Sequence, residues 1–298
     1  MKINRKVQNI TFAVVGGIAL IGFIIGTFLD QKITGKMGDY NNLFGILFTA
    51  FGPILTLAFG VFAGCTLFFM PKRENKTWDI IFRVFGAIAV LGFIFSQIKE
   101  GLEYTDFPRM AEKESTWKAL IVVFIALIDL AIILFSRIWV KKMDQKMILP
   151  LCLMIIAIIV IYFVACEAVK YLASRPRPRA LDANPFLEFK NWYEWQPFKA
   201  FKKEFKQCKS FVSGHTANAA TLVTIIPLCA ALSKKENTNL IQIICAVIGS
   251  LFVFVVAFSR IVARAHWMTD VMGGVLLSVG IQLLVVNVTP KILKKFEK

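Results

Sequence analysis

Residues 148–169 read ILPLCLMIIAIIVIYFVACEAV, an unbroken apolar run whose only charge, Glu167, comes near its end. At 1.5 Å of rise per helical residue such a run spans the roughly 30 Å hydrocarbon core of a bilayer. Backbone groups in lipid must be satisfied within the segment, so a transmembrane helix is expected. The pattern repeats on both sides, giving eight candidate spans near 10–29, 43–70, 79–98, 119–136, 148–169, 215–232, 240–258 and 267–288. Pro71-Lys72-Arg73, Lys141-Lys142 and Lys234-Lys235 mark stops between them. The composition agrees: 57% of residues are hydrophobic, 18% are charged and the mean hydropathy is +0.66, unlike a soluble domain. The expected fold is an all-α integral membrane protein, a polytopic bundle of about eight helices. It forms one membrane domain over 1–298, with N-terminal helices in 1–117 and a catalytic region in 118–290 that carries a long outer loop, 171–212.

Lys and Arg counts in the connections set the orientation, because cytoplasmic loops are enriched in them. With the N-terminus inside, the inner segments hold sixteen, including Lys2, Lys72, Lys142, Lys234 and Lys298, against six in the first two outer loops, Arg109 among them. Both termini are therefore expected in the cytoplasm. The net charge of +16 is largely this bias, and no basic soluble module is present to suggest a nucleic-acid partner. The loop 171–212 breaks the bias, carrying nine Lys and Arg against four acids on the side expected to be outer. Its basic residues alternate with Phe186, Phe189, Trp192, Tyr193, Trp195, Phe198, Phe201 and Phe205. That mixture suits an interfacial anchor among lipid headgroups, or a site for an anionic ligand. The six cysteines have no metal or disulfide spacing. The first run follows a basic start but is long and lacks a small-residue cleavage pattern, so it reads as an uncleaved helix.

Only two histidines occur, His215 and His266, both at the edges of apolar runs. Two imidazoles that titrate near neutrality can divide the work of nucleophile and proton donor. The ends of the fifth to eighth runs fall on one face, which gathers Lys170, Arg177-Pro178, Ser213-Gly214-His215, Ser259-Arg260, His266 and Asp270 there. Lys170, Arg177 and Arg260 supply fixed positive charge, and the arginines grip phosphate oxygens as forks. Ser213 and Gly214 stand where a helix starts, a place that favours an anion. His266 and Asp270 are four apart, so on one helix face the carboxylate can hold one ring nitrogen and leave the other for attack. His215 remains as proton donor to the leaving oxygen. Glu167, one turn before Lys170, is placed to position it. Arg175 and Arg179 match no required position and read as headgroup or solvent contacts. Arg83 is expected to snorkel from the third span, and Asp129 to find a partner in the bundle or face a watery pocket.

These blocks resemble the type 2 phosphatidic acid phosphatases, whose signatures are K-x6-R-P, P-S-G-H and S-R-x5-H-x3-D. The chain has Lys170 six residues before Arg177-Pro178, Ser213-Gly214-His215, and Ser259-Arg260 five residues before His266, with Asp270 after three more. Val212 stands where the family usually has proline, a residue that carries no reactive group. The resemblance covers about Lys170 to Asp270 and leaves about two extra N-terminal helices beyond a six-helix core. It implies a phosphatase that needs no metal or cofactor: His266 as nucleophile through a phosphohistidine, Asp270 orienting it, and His215 as general acid and then base. Lys170, Arg177, Ser213, Gly214 and Arg260 would hold the phosphoryl oxygens.

A headgroup-level site above apolar helices suits a lipid phosphate or diphosphate; phosphatidic acid, phosphatidylglycerol phosphate and polyprenyl diphosphate all fit. An extracytoplasmic site fits recycling of a polyprenyl carrier in a bacterial cell envelope. Membrane lipids are the expected partners, and the oligomeric state is left open. Soluble phosphate esters, or transfer to an acceptor other than water, would use the same residues. The family's pocket also resembles that of vanadate-dependent haloperoxidases, which are soluble. A transporter or binding protein for an anionic lipid is the alternative of another class; no internal repeat supports it.

Overall fold

A computed structural model describes residues 4–39, 41–102, 113–205, 207–231 and 238–293. Among the described residues there are nine α-helices and no strand. They are α1 (Arg5–Met37), α2 (Leu43–Phe69), α3 (Lys76–Leu102), α4 (Glu114–Trp139), α5 (Gln145–Ala173), the short α6 (Pro178–Ala183), α7 (Gly214–Ala231), α8 (Thr238–Val262) and α9 (Met268–Leu293). The eight long ones coincide with the eight apolar runs. Seven are long and apolar enough to cross a membrane; α7 is the shortest and carries His215, Asn218 and three threonines in its first eleven residues. Of the charges used to orient the chain, Lys2, Arg109, Lys234, Lys235, Lys294, Lys295 and Lys298 lie outside the described residues, as does Lys206 of the loop.

Side-chain caps fix several helix starts. Asn4 accepts from the Val7 amide, Asn42 from Gly45 and Asp144 from Lys146, each satisfying a first-turn N–H that has no helical partner. Arg83 closes the α2 terminus: it donates to the carbonyls of Phe68 at 2.6 Å and Met70 at 2.7 Å and pairs with Asp79 at 2.8 Å. A fork of five donors serves the last carbonyls of α2 and a carboxylate one turn away together. Asp129 is buried on α4 close to Gln97 of α3.

α2 is the central helix, packing against α3, α4, α5, α7 and α8, and α1 lies along α9 and α8. The α1–α9 contact is close because Gly22 and Gly26, one turn apart, present no side chain. A Cβ at Gly26 would stand 3.0 Å from the Thr269 backbone nitrogen. Asn4 bonds to Gln242 and Asn239, and Arg5 to Asn287, at the end of the bundle remote from the site described below. The outward faces of α1, α3 and α4 stay apolar and exposed, as at Phe28, Leu91, Phe95 and Leu127, which is the surface lipid would cover.

The long loop is ordered around its own small core of Ala180, Leu187, Ala200 and Cys208, with Tyr171, Leu181 and Phe205 against it. Backbone bonds from Gln196 to Ala173 (3.0 Å), Phe198 to Tyr171 (2.8 Å) and Ser210 to Arg175 (3.0 Å) tie it to the end of α5. Phe186, Tyr193, Trp195, Phe198 and Phe201 remain exposed on its outer surface.

Candidate active site

The fifth helix ends abruptly one turn after Lys170. Ser174 takes a left-handed conformation (φ 44°) and its amide closes on the Lys170 carbonyl at 2.9 Å. The chain then runs extended through Arg175-Pro176-Arg177 to Pro178, whose ring suits the first position of α6. This turn lays Lys170 and Arg177 beside the start of α7. The Lys170 ammonium pairs with Glu167 at 2.6 Å, the contact expected from their one-turn spacing. It lies so near α7 that a Cβ on Gly214 would sit 3.0 Å from Nζ. A side chain there would have to displace the Lys170 ammonium, and glycine leaves it in place. Arg177 is half-buried, and its Nε has no hydrogen-bond partner among the described residues.

Ser213 is wholly buried; its amide donates to the Asp270 carbonyl at 2.9 Å, and its hydroxyl accepts from the Thr216 hydroxyl at 3.0 Å. The serine thus caps α7 and joins it to α9. His215 is buried, with Nε2 3.0 Å from the carbonyl of Thr49 on α2. The Thr49 hydroxyl in turn accepts from Nη1 of the fully buried Arg260. One residue of the second helix thus braces both a histidine and an arginine of the motifs.

His266 does not share a helix face with Asp270. It precedes α9, in a tight turn where the amides of Ala265 and His266 both close on the Arg260 carbonyl (3.1 and 3.3 Å). Its ring is buried, and Nδ1 bonds to the Ser210 carbonyl at 2.8 Å, while the nearest Asp270 oxygen is 3.7 Å away. The expected direct carboxylate bond is replaced because Asp270 is fully engaged otherwise. Oδ2 accepts from the Ser210 hydroxyl (2.5 Å) and the Trp267 amide (2.9 Å), and Oδ1 from Arg175 (2.6 Å). Burial, followed by the positive charges of Arg260, Arg177 and Lys170, holds the His266 pKa well below the ordinary imidazole value; the Ser210 carbonyl acts in the opposite direction. A neutral ring that donates from Nδ1 presents its lone pair at Nε2.

Arg175 corrects the sequence reading most. It is 2% exposed, so it meets neither solvent nor headgroups, and it pairs with Asp30 of α1 as well as with Asp270. Sequence reasoning also missed Thr49, Asp30 and Ser210. A lone carboxylate near the end of an apolar helix was the available signal for Asp30; nothing marked the other two. Arg179, by contrast, is partly exposed and uses its amide to bond the Arg264 carbonyl at 3.0 Å.

The motif residues open into a cavity of about 1370 Å³. Lys170, Arg177, Gly214, His215 and His266 line its polar end, with Lys99 and Lys209 nearby. Its long apolar part descends between α3 and α5, along Phe85, Ile88, Phe95, Ile156, Val160 and Phe163. Several of these are also exposed on the outer surface, so the cleft is open sideways toward the lipid-facing side of the bundle.

Comparison with the curated proteins and with the solved structures gives no match. A family model, the PAP2 superfamily, matches residues 147–294, the part of the chain that runs from α5 through α9. That region contains the three motif blocks and both histidines, and on this agreement residues 147–294 place the chain in the PAP2 superfamily of phosphatases.

Proposed function

We propose that this membrane phosphatase hydrolyses a lipid phosphate or diphosphate through a phosphohistidine on His266. The observation that carries the lipid reading is the continuity of one cavity from the two histidines into an apolar cleft open between α3 and α5. A phosphate bound at the polar end leaves an acyl or prenyl chain lying in that cleft without leaving the hydrophobic layer. A soluble ester would leave most of the cleft's apolar lining unused.

In this mechanism Lys170, Arg177, Arg260 and the first-turn amides of α7 neutralise the phosphoryl oxygens. The lone pair of His266 Nε2 forms the N–P bond as the P–O bond to the leaving group breaks. His215 donates from Nε2 to the Thr49 carbonyl, so the proton given to the departing oxygen comes from Nδ1 of its imidazolium form. The charge of the bound phosphate favours the imidazolium needed for this step. The same ring then accepts a proton from water as water attacks phosphorus and the N–P bond breaks, which releases phosphate and restores both histidines. The Lys and Arg distribution supports a site on the extracytoplasmic side with both termini inside. A bacterial cell membrane, with a polyprenyl carrier as substrate, is the setting that fits best.

The test is phosphate release by detergent-purified protein from phosphatidic acid, phosphatidylglycerol phosphate, a polyprenyl diphosphate and soluble esters, with and without chelator. Release from lipid substrates well above soluble ones is expected. Preference for soluble esters would overturn the lipid assignment, and no release from any substrate would favour the lipid-binding or transport alternative.

A further inference from the structure

We propose that Arg175 and Asp30 are positioning residues for this reaction, through the buried contact in which the Arg175 guanidinium bridges Asp30 of α1 and Asp270 of α9. This rests on the phosphatase reading above.

Every nitrogen of Arg175 is committed. Nε donates to the Lys190 carbonyl at 2.7 Å, Nη1 to Asp270 at 2.6 Å and Thr269 at 2.7 Å, and Nη2 to Asp30 at 2.8 Å. Phe189 and Trp267 lie against the guanidinium at 5.4 and 5.5 Å, which fixes its plane further. The three side chains are 0 to 3% exposed. A buried ion network of this kind is poor as a stabiliser, since apolar replacements often do as well, but it defines position sharply.

The positions it defines lead directly to His266. Arg175 holds Oδ1 of Asp270, which leaves Oδ2 for the Ser210 hydroxyl. The Arg175 carbonyl accepts from the Ser210 amide, and the Ser210 carbonyl accepts from His266 Nδ1. Both the side chain and the backbone of Arg175 therefore act on the segment that aims the imidazole. Asp30 completes the arrangement from the other side. It accepts from the amide (2.9 Å) and hydroxyl (2.5 Å) of Thr269, in the first turn of α9, and so pins the helix start that carries Asp270. α1 lies outside the region that the PAP2 model matches, so this chain's first helix contributes to the geometry of the site.

The experiment compares Asp30→Asn, Arg175→Lys and Arg175→Met with wild type, using kcat and KM on the best lipid phosphate and the affinity for orthovanadate, a phosphate mimic. All values are taken per folded molecule from the monodisperse fraction in detergent. A displacement of His266 on the ångström scale predicts that kcat falls about 100-fold in Arg175→Met while KM stays within about threefold. Arg175→Lys, which keeps the charge, is expected to recover part of that loss, and Asp30→Asn to lose less than Arg175→Met. If Arg175→Met does not fold, the two milder variants carry the test. Unchanged kcat in Asp30→Asn and Arg175→Lys, with only a lower unfolding temperature, would overturn the proposal. A wild-type protein that neither releases phosphate nor binds vanadate overturns the phosphatase reading itself, and this proposal with it.

Discussion

His266 donates from Nδ1 to the backbone carbonyl of Ser210 across 2.8 Å, and the same serine donates its hydroxyl to Asp270. Ser210 is thus the element between the carboxylate and the imidazole that the motif spacing placed in direct contact. Ser210→Ala removes one charge-assisted bond to Asp270 but leaves the carbonyl in place. A bond of this class contributes about 1.5–3 kcal/mol, so kcat should fall roughly 10- to 100-fold with folding preserved. Steady-state kinetics on a lipid phosphate checks this.

The acid limb of kcat/KM should lie below pH 6.5. Neutral His266 is the attacking form, and burial with the charges of Arg260, Arg177 and Lys170 depresses its pKa in the folded protein. Activity is then retained through the ordinary imidazole range and lost only at lower pH. Arg177→Gln removes one of the depressing charges and should move the limb upward. The stability linkage has the same direction: the unfolded chain protonates this histidine near 6.5, so the contribution is complete above that pH and is lost as pH falls toward the folded value. A pH–rate profile of wild type and Arg177→Gln decides the first point.

Thr49 lies on α2, outside the PAP2 match, yet it serves both His215 and Arg260. Thr49→Val removes the hydroxyl that Arg260 uses and keeps the carbonyl that His215 uses. Leaving a buried donor short costs about 1–3 kcal/mol, and a roughly 10-fold loss of kcat/KM is expected. Full activity in this variant would show that the second helix only packs beside the site.

Gly92 lines the apolar cleft, and a Cβ built there meets nothing within 4 Å. Gly92→Trp should fold and occupy the space proposed for the lipid chain. KM for a long-chain substrate should rise at least about tenfold, while hydrolysis of a short-chain or soluble ester changes little. Equal effects on both would place the chain elsewhere.

Much of the fold was legible because lipid leaves the chain few choices: long apolar runs become helices, and alternation of their ends brings Lys170, Ser213, Arg260 and His266 to one end of the bundle. Two kinds of detail were hidden. Spacing assigns residues to a helix only if the helix has already begun, and His266 lies before α9, so its partner is a loop carbonyl and not the carboxylate four residues on. Charges were read by their sequence neighbours. Arg175 stands in a loop rich in basic and aromatic residues, but its partners Asp30 and Asp270 are distant in sequence, and only tertiary packing brings them together.

The proposed mechanism passes through a covalent intermediate on His266. Protein incubated briefly with substrate labelled in the phosphoryl group and then quenched in alkali should carry label that resists base and is lost in acid, mapped to the peptide containing His266. It should be absent from His266→Ala. Rapid turnover by wild type without any such label, or label that persists in His266→Ala, would rule out His266 as the nucleophile.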